Sequence, residues 1–208
     1  MFGYLKLKPK RKLGFDHSEP IVSEQMFKKY YWQDFFKDAK EAIPNDAPEP
    51  RGNLITTYCF ADADHASNKI TRRSQTGVSI LINRDPVVFF SKNQATVELS
   101  TFGSEFIGSR IVIEIIEPLR YKLRMFGVPL SGLTNMFMDN EAVYQNTSIL
   151  KSTLKKEHLS CVFHRCREAV ADDTVGIFKE GTETNLADLF TKLLPGSRRK
   201  MLLDIFTY

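Results

Sequence analysis

An α/β fold built on a mixed sheet is predicted by three observations. β-branched and aromatic runs follow one another from Leu54, helical periods come after them, and the two kinds then alternate. The expected order is strand, strand, strand, helix, strand, helix, strand, helix.

ITTYCFADA, TGVSILI and PVVFFS read as three consecutive antiparallel strands, the last two joined by the turn-like NRDP. A helix is expected over 100–126. Pro118 should kink or split it, because proline lacks a backbone donor and clashes with the preceding turn. Gly127 and Pro129 should end it. LTNMFM is a fourth strand, with Asp139 at its end and a short helix through Glu141, Ala142, Val143 and Tyr144 after it. A helix over 154–170, the strand TVGIFK and a last helix over 185–194, stopped by Pro195 and Gly196, complete the order.

Residues 1–53 read as a connecting extension and 54–208 as the main domain. AIPNDAPEPRGN discourages both helix and central strand. Upstream of it Tyr30, Tyr31, Trp32, Phe35 and Phe36 are mixed with charges, which predicts a short amphipathic helix within 23–42 that packs on the domain.

The 208 residues suffice for one domain with a sizeable core, not two enzymes. No run of eighteen apolar residues is present, so no membrane span is expected. The basic start lacks the apolar stretch of a secretory signal, and the three cysteines cannot form a disulfide framework. An intracellular protein with reduced thiols at Cys59, Cys161 and Cys166 is expected, Cys59 in the core. The net charge of +4 permits a polyanionic partner without requiring one. Basic residues cluster at 6–12, 72–73, 151–156, 165–167 and 198–200, where a solvated face is the simplest account of each.

Asp62, Glu105, Asp139 and Asp188 each fall at the start or end of an element. Each also has an ordinary explanation: a polar turn, a residue complementing a helix dipole, an N-cap, and the third position of a capping box opened by Asn185. The wheel of Leu186, Leu189, Phe190, Leu193 and Leu194 places Asp188 opposite the apolar centre, hence outside the core. Periodicity alone does not assemble the four into a site. His158, Cys161, His164 and Cys166 do not converge on one helix face, which argues against zinc.

With their neighbours these segments resemble the ribonuclease H domain that closes the polyprotein of copia-type retrotransposons. YCFADADHASNKITRRSQTG is similar to that family's first strand and basic turn. ATVELSTFGSEFIGSR resembles its acidic helix, FMDNEAV its strand-to-helix Asp-Asn, STLKKEHLSCVFHRCREAV its basic helix and TETNLADLFTKLLPG its last helix. The resemblance covers about residues 10–197, and ADLFTK and SKNQATVELST are its most specific segments.

The resemblance implies a ribonuclease H-like fold, a five-stranded mixed sheet with its first three strands antiparallel and helices on its faces. It implies a metal-dependent endonuclease that hydrolyses RNA in RNA/DNA hybrids beside the reverse transcriptase domain of the same polyprotein. Asp62, Glu105, Asp139 and Asp188 match the catalytic acids, with Asp64 as an additional metal ligand. Two Mg²⁺ ions about 4 Å apart, or Mn²⁺, would activate water and stabilise the leaving oxygen. Arg72, Arg73, Lys155 and Lys156 are candidates for phosphate contact, and Asn140, Asn93 and Gln94 for reading the 2′-hydroxyl. The loop IFKEGTETN lacks the histidine found in many such enzymes. Met1 falls within the connection, so a fragment or relic reading frame is expected. The alternative function is a catalytically inactive relic or a nucleic-acid-binding module of the same fold.

Overall fold

The computed structural model describes residues 10, 12, 14–16, 18, 31–152, 154 and 157–206. Five strands form one sheet: β1 (Thr57–Asp64), β2 (Gln75–Ile82), β3 (Asp85–Asn93), β4 (Thr134–Met138) and β5 (Val175–Lys179), in the order β3-β2-β1-β4-β5. β1, β2 and β3 pair antiparallel, while β4 runs parallel to β1 and β5 parallel to β4. The mixed sheet and its antiparallel first half are as expected. The β2–β3 hairpin closes through Asn83 and Arg84, and Asn83 takes φ +54, a conformation asparagine tolerates in tight hairpins.

Helices are α1 (Gln33–Phe36), α2 (Thr101–Met125), α3 (Glu141–Ser148), α4 (Ser160–Ala171), α5 (Asp188–Thr191) and α6 (Gly196–Leu203). Strand alternation sorts the core into two layers. Cys59, Ala61, Met136, Met138 and Ile177 face α2 and α4, packing on Phe106, Ile113, Ile116 and Phe163. Tyr58, Phe137 and Phe178 face the opposite side, beneath Leu186, Leu202 and Phe206. Phe137 is the hub of that layer, with ring centroids 5.1 Å from Phe60 and 5.4 Å from Phe178.

Three helices depart from the sequence reading. α2 runs unbroken through Pro118. Ile113 and Ile116 are buried before the proline and Arg120 is tied down after it, which holds both flanking turns in place. α4 begins only at Ser160, after a 3₁₀ turn over Glu157–Leu159. The last expected helix contracts to the four residues of α5, with extended backbone at Lys192, and α6 starts where Pro195 and Gly196 were expected only to stop. α6 carries almost no apolar period, and Leu202 is its only buried residue, so nothing in its pattern marked it.

The described part of the connection packs on the domain. α1 ends at Lys37, with φ +39, well short of the helix expected within 23–42; the part of that expectation before Tyr31 lies outside the described residues. Trp32 is buried, with the Arg167 guanidinium 4.8 Å from its ring centroid. Arg167 is itself buried and donates to the carbonyls of Leu150 at 2.8 Å and Ser152 at 3.2 Å, so it is a structural arginine and not part of a solvated face. Glu41 receives Arg120 Nε at 2.6 Å and Nη2 at 2.7 Å, and Arg124 as well. Among the described residues no helix is long and apolar enough to cross a membrane.

Candidate active site

Each acid reaches the same end of the central strands from a different element. Asp62 is near the end of β1, buried, on the face opposite Cys59 and Ala61. Glu105 is in the second turn of α2. The helix is capped by Ser100, whose hydroxyl accepts from Gly103 N at 3.1 Å, so Glu105 has no capping duty. Asp139 follows β4. The cap of α3 is Asn140, whose Oδ1 accepts from Ala142 N at 3.0 Å and Val143 N at 3.2 Å, which frees Asp139 to face the cluster. Asp62, Glu105 and Asp139 each place a carboxylate oxygen within 4.8 Å of the others.

Asp188 corrects the helical wheel. It is fully buried, because α5 is too short to present an apolar face of its own and lies flat on β2. The capping-box account of this segment fails too. Asn185 is buried and its Nδ2 donates to the Ala61 carbonyl at 3.1 Å, fastening the segment to β1. Leu193, placed on the apolar side of the wheel, is fully exposed.

Two cations from the same segment enter the cluster. Lys192 Nζ stands 2.8 Å from Asp188 Oδ1, 3.0 Å from Asp62 Oδ1 and 3.9 Å from Asp139 Oδ2. Arg198 holds the other oxygen of Asp188, and the Thr191 hydroxyl donates to the other oxygen of Asp62. Sequence reasoning gave Thr191 and Lys192 no role and read Arg198 as part of a solvated face, which its ion pair with the buried Asp188 corrects. The available signal was spacing, since Thr191 and Lys192 lie three and four residues after Asp188.

The electrostatics are those of a site that lacks positive charge near Glu105. Burial pushes the Glu105 carboxyl well above its usual range, and the charges of Asp62 and Asp139 push it further. Its Oε2 is buried with no hydrogen-bond partner. Burial also raises Asp62, against the pull of Thr191 and Lys192. Burial would lower the Lys192 ammonium, but the hydrogen bond and charge of Asp188 and Asp62 outweigh it and hold the proton on. A hard divalent cation fits such a carboxylate set, and an orphaned buried oxygen is what one would ligate.

Asp64, at the end of β1 and half-buried, is not in the converging trio. Arg72 and Arg73 are exposed on the turn between β1 and β2, with Arg72 at φ +56. Lys155 and Lys156 lie outside the described residues. Gln94 is buried, donating to Thr76 Oγ1 at 2.9 Å and the Ser104 carbonyl at 2.7 Å, so it ties β2 to α2 and does not face a substrate; Asn93 is exposed. Lys179, on the loop without histidine, pairs with Glu141 at 2.7 Å.

Gly77 sets the depth of the site. It pairs with Asp62 across the sheet, and a Cβ there would meet the Ala187 carbonyl oxygen and Thr191 Cγ2 at 2.7 Å. Gly77→Val is expected to cost about 1–3 kcal/mol by overpacking. That is roughly 2–10 °C of thermal midpoint, measurable by scanning calorimetry.

No protein-family model matches the chain. It is 24% identical over 146 residues to the retrovirus-related Pol polyprotein from transposon TNT 1-94 of Nicotiana tabacum, covering 70% of this chain and 11% of that protein. It is 25% identical over 146 residues to that from transposon RE1 of Arabidopsis thaliana, covering 69% and 10%. The chain thus spans about a tenth of the length of these relatives. Among solved structures, the N-terminal RNase H domain of rv2228c from Mycobacterium tuberculosis, a fusion with maltose binding protein, matches with a TM-score of 0.50 at 10% identity, covering 72% of this chain and 97% of that one. The chain thus shares the ribonuclease H fold of the solved structure and is similar in sequence to the retrovirus-related Pol polyproteins of plant transposons.

Proposed function

We propose that the chain is a metal-dependent endonuclease that hydrolyses the RNA strand of RNA/DNA hybrids, the C-terminal part of a copia-type polyprotein, working with the reverse transcriptase domain of that polyprotein. The observation that carries this is the convergence of Asp62, Glu105 and Asp139 within 4.8 Å around a buried Glu105 oxygen that has no partner. Mg²⁺, or Mn²⁺ in its place, would be held by these three acids. When bound, such an ion supplies activation of water and neutralisation of charge developing on the phosphate. The resemblance implies a pair of ions, and the reading requires at least one.

The chain's own residues do the rest. Asp62 is fixed by Thr191, and Asp139 is left free by the Asn140 cap, so both present oxygens in a set geometry. The apolar floor beneath β1 and β4 keeps bulk water from behind the acids. Arg72 and Arg73 are assigned to backbone phosphates beyond the end of β1, and Asp64 to a supporting position at the rim. A second reading, a copy that binds nucleic acid without cutting it, draws support from Lys192 and Arg198, which already neutralise much of Asp62 and Asp188.

The test is incubation of the purified chain with labelled RNA/DNA hybrid, double-stranded RNA and double-stranded DNA, with and without Mg²⁺ or Mn²⁺. The hybrid alone should be cut, only with metal, and Asp139→Asn should not cut it. No hybrid cleavage with either ion, or cleavage unchanged in Asp139→Asn, would sink the catalytic reading in favour of the second.

A further inference from the structure

The four acids divide into two sets by what satisfies them. Asp188 has both oxygens committed to this chain's own cations, Oδ1 to Lys192 at 2.8 Å and Oδ2 to Arg198. Asp62 has one oxygen on Lys192 at 3.0 Å and the other on Thr191. Glu105, on the far side of Asp62 from α5, keeps a buried oxygen with no partner. The space between Asp62 and Asp188, where a second divalent ion would need shared ligands, therefore already holds an ammonium.

Charge balance leads to the same conclusion. The Lys192 ammonium stands 3.0 Å from Asp62, 2.8 Å from Asp188 and 3.9 Å from Asp139, so it already supplies positive charge to three of the four acids. A second divalent ion between Asp62 and Asp188 would stand against that ammonium at two buried carboxylates, and uncompensated like charge in a buried site is costly. Lys192 is also tethered, because the i,i+4 relation to Asp188 fixes its ammonium at that carboxylate.

We infer that Lys192 takes the place of a second cation: the site binds a single divalent ion among Asp62, Glu105 and Asp139, and the Lys192 ammonium, bridging Asp62 and Asp188, supplies the other positive charge. This rests on the acid trio being a cation site, as in the proposed function, and replaces the expected ion pair with one ion and one lysine. Lys192 is thereby a positioning residue for Asp62 and Asp188, and it stands beside the space a scissile phosphate would enter.

Mn²⁺ titration of the full chain, followed by electron paramagnetic resonance, decides it. The wild type should bind one Mn²⁺ per chain with an uncoupled six-line signal. Lys192→Met should bind two, with the broadened signal of a coupled pair. Lys192→Gln, which keeps hydrogen bonding and drops the charge, should do the same if the methionine variant fails to fold. Two coupled ions in the wild type, or a single ion in the wild type and in every folded Lys192 variant, would overturn the lysine's role alone. No bound Mn²⁺ in the wild type would remove the cation site and with it the proposed function.

Discussion

Glu41→Gln is expected to cost about 3–5 kcal/mol of folding stability, the usual consequence of removing one partner from a buried ion pair. The cost comes from what is left behind. Arg120 is 1% exposed and its Nε and Nη2 both end on Glu41, while Nη1 reaches Thr134 at 3.1 Å. An amide at position 41 removes the negative charge and leaves the guanidinium buried. Chemical denaturation should show a lower midpoint at an unchanged slope. Pairing Glu41→Leu with Arg120→Met should restore much of the loss, since apolar groups of similar volume commonly replace a buried pair without penalty.

The same pair carries a pH dependence of definite sign. Burial works to raise the Glu41 carboxyl, but Arg120 and Arg124 outweigh it and hold it below its ordinary value of 4.5. The unfolded chain therefore takes up this proton first as pH falls. The contribution is fully present above the unfolded value and is lost as pH drops through the lower, folded one. The stability difference between wild type and Glu41→Gln should accordingly shrink below pH 4.5. A constant difference down to complete acid unfolding would contradict it.

Glu105→Gln is expected to move activity and metal-free stability in opposite directions. Hybrid cleavage should fall by about 10²–10⁴-fold, the range seen when a group acting on transition-state charge is lost. Without metal, however, the variant should melt higher than the wild type, because a buried carboxylate facing Asp62 and Asp139 is exchanged for a neutral amide. Saturating Mn²⁺ should raise the melting temperature of the wild type and not that of the variant. A variant that melts lower in both conditions would show Glu105 to be a packing residue.

Legibility from sequence followed how locally each feature is determined. β1, β2 and β3 were readable because β-branched and aromatic runs lie on either side of a two-residue turn at Asn83. Periodicity did not assemble the acids, whereas the convergence of Asp62 and Asp139 follows from β1 and β4 running parallel side by side, with Glu105 brought in from α2. Asp188 was misread because a helical wheel describes an isolated helix. Its burial is set instead by β2 beneath it and by Lys192 and Arg198 beside it. Arg167 and Gln94 looked like surface polar groups because their partners are backbone carbonyls and hydroxyls brought near only by the fold.

The close approach at Gly77 has a consequence for how copies of a mobile element lose function. A copy with all four acids intact but any larger residue at position 77 would have α5 levered off β2, carrying Thr191 and Lys192 away from Asp62. The acids would all be in place while the contacts that fix Asp62 had shifted, so position 77 on β2 belongs beside the acids in judging whether a copy keeps this site.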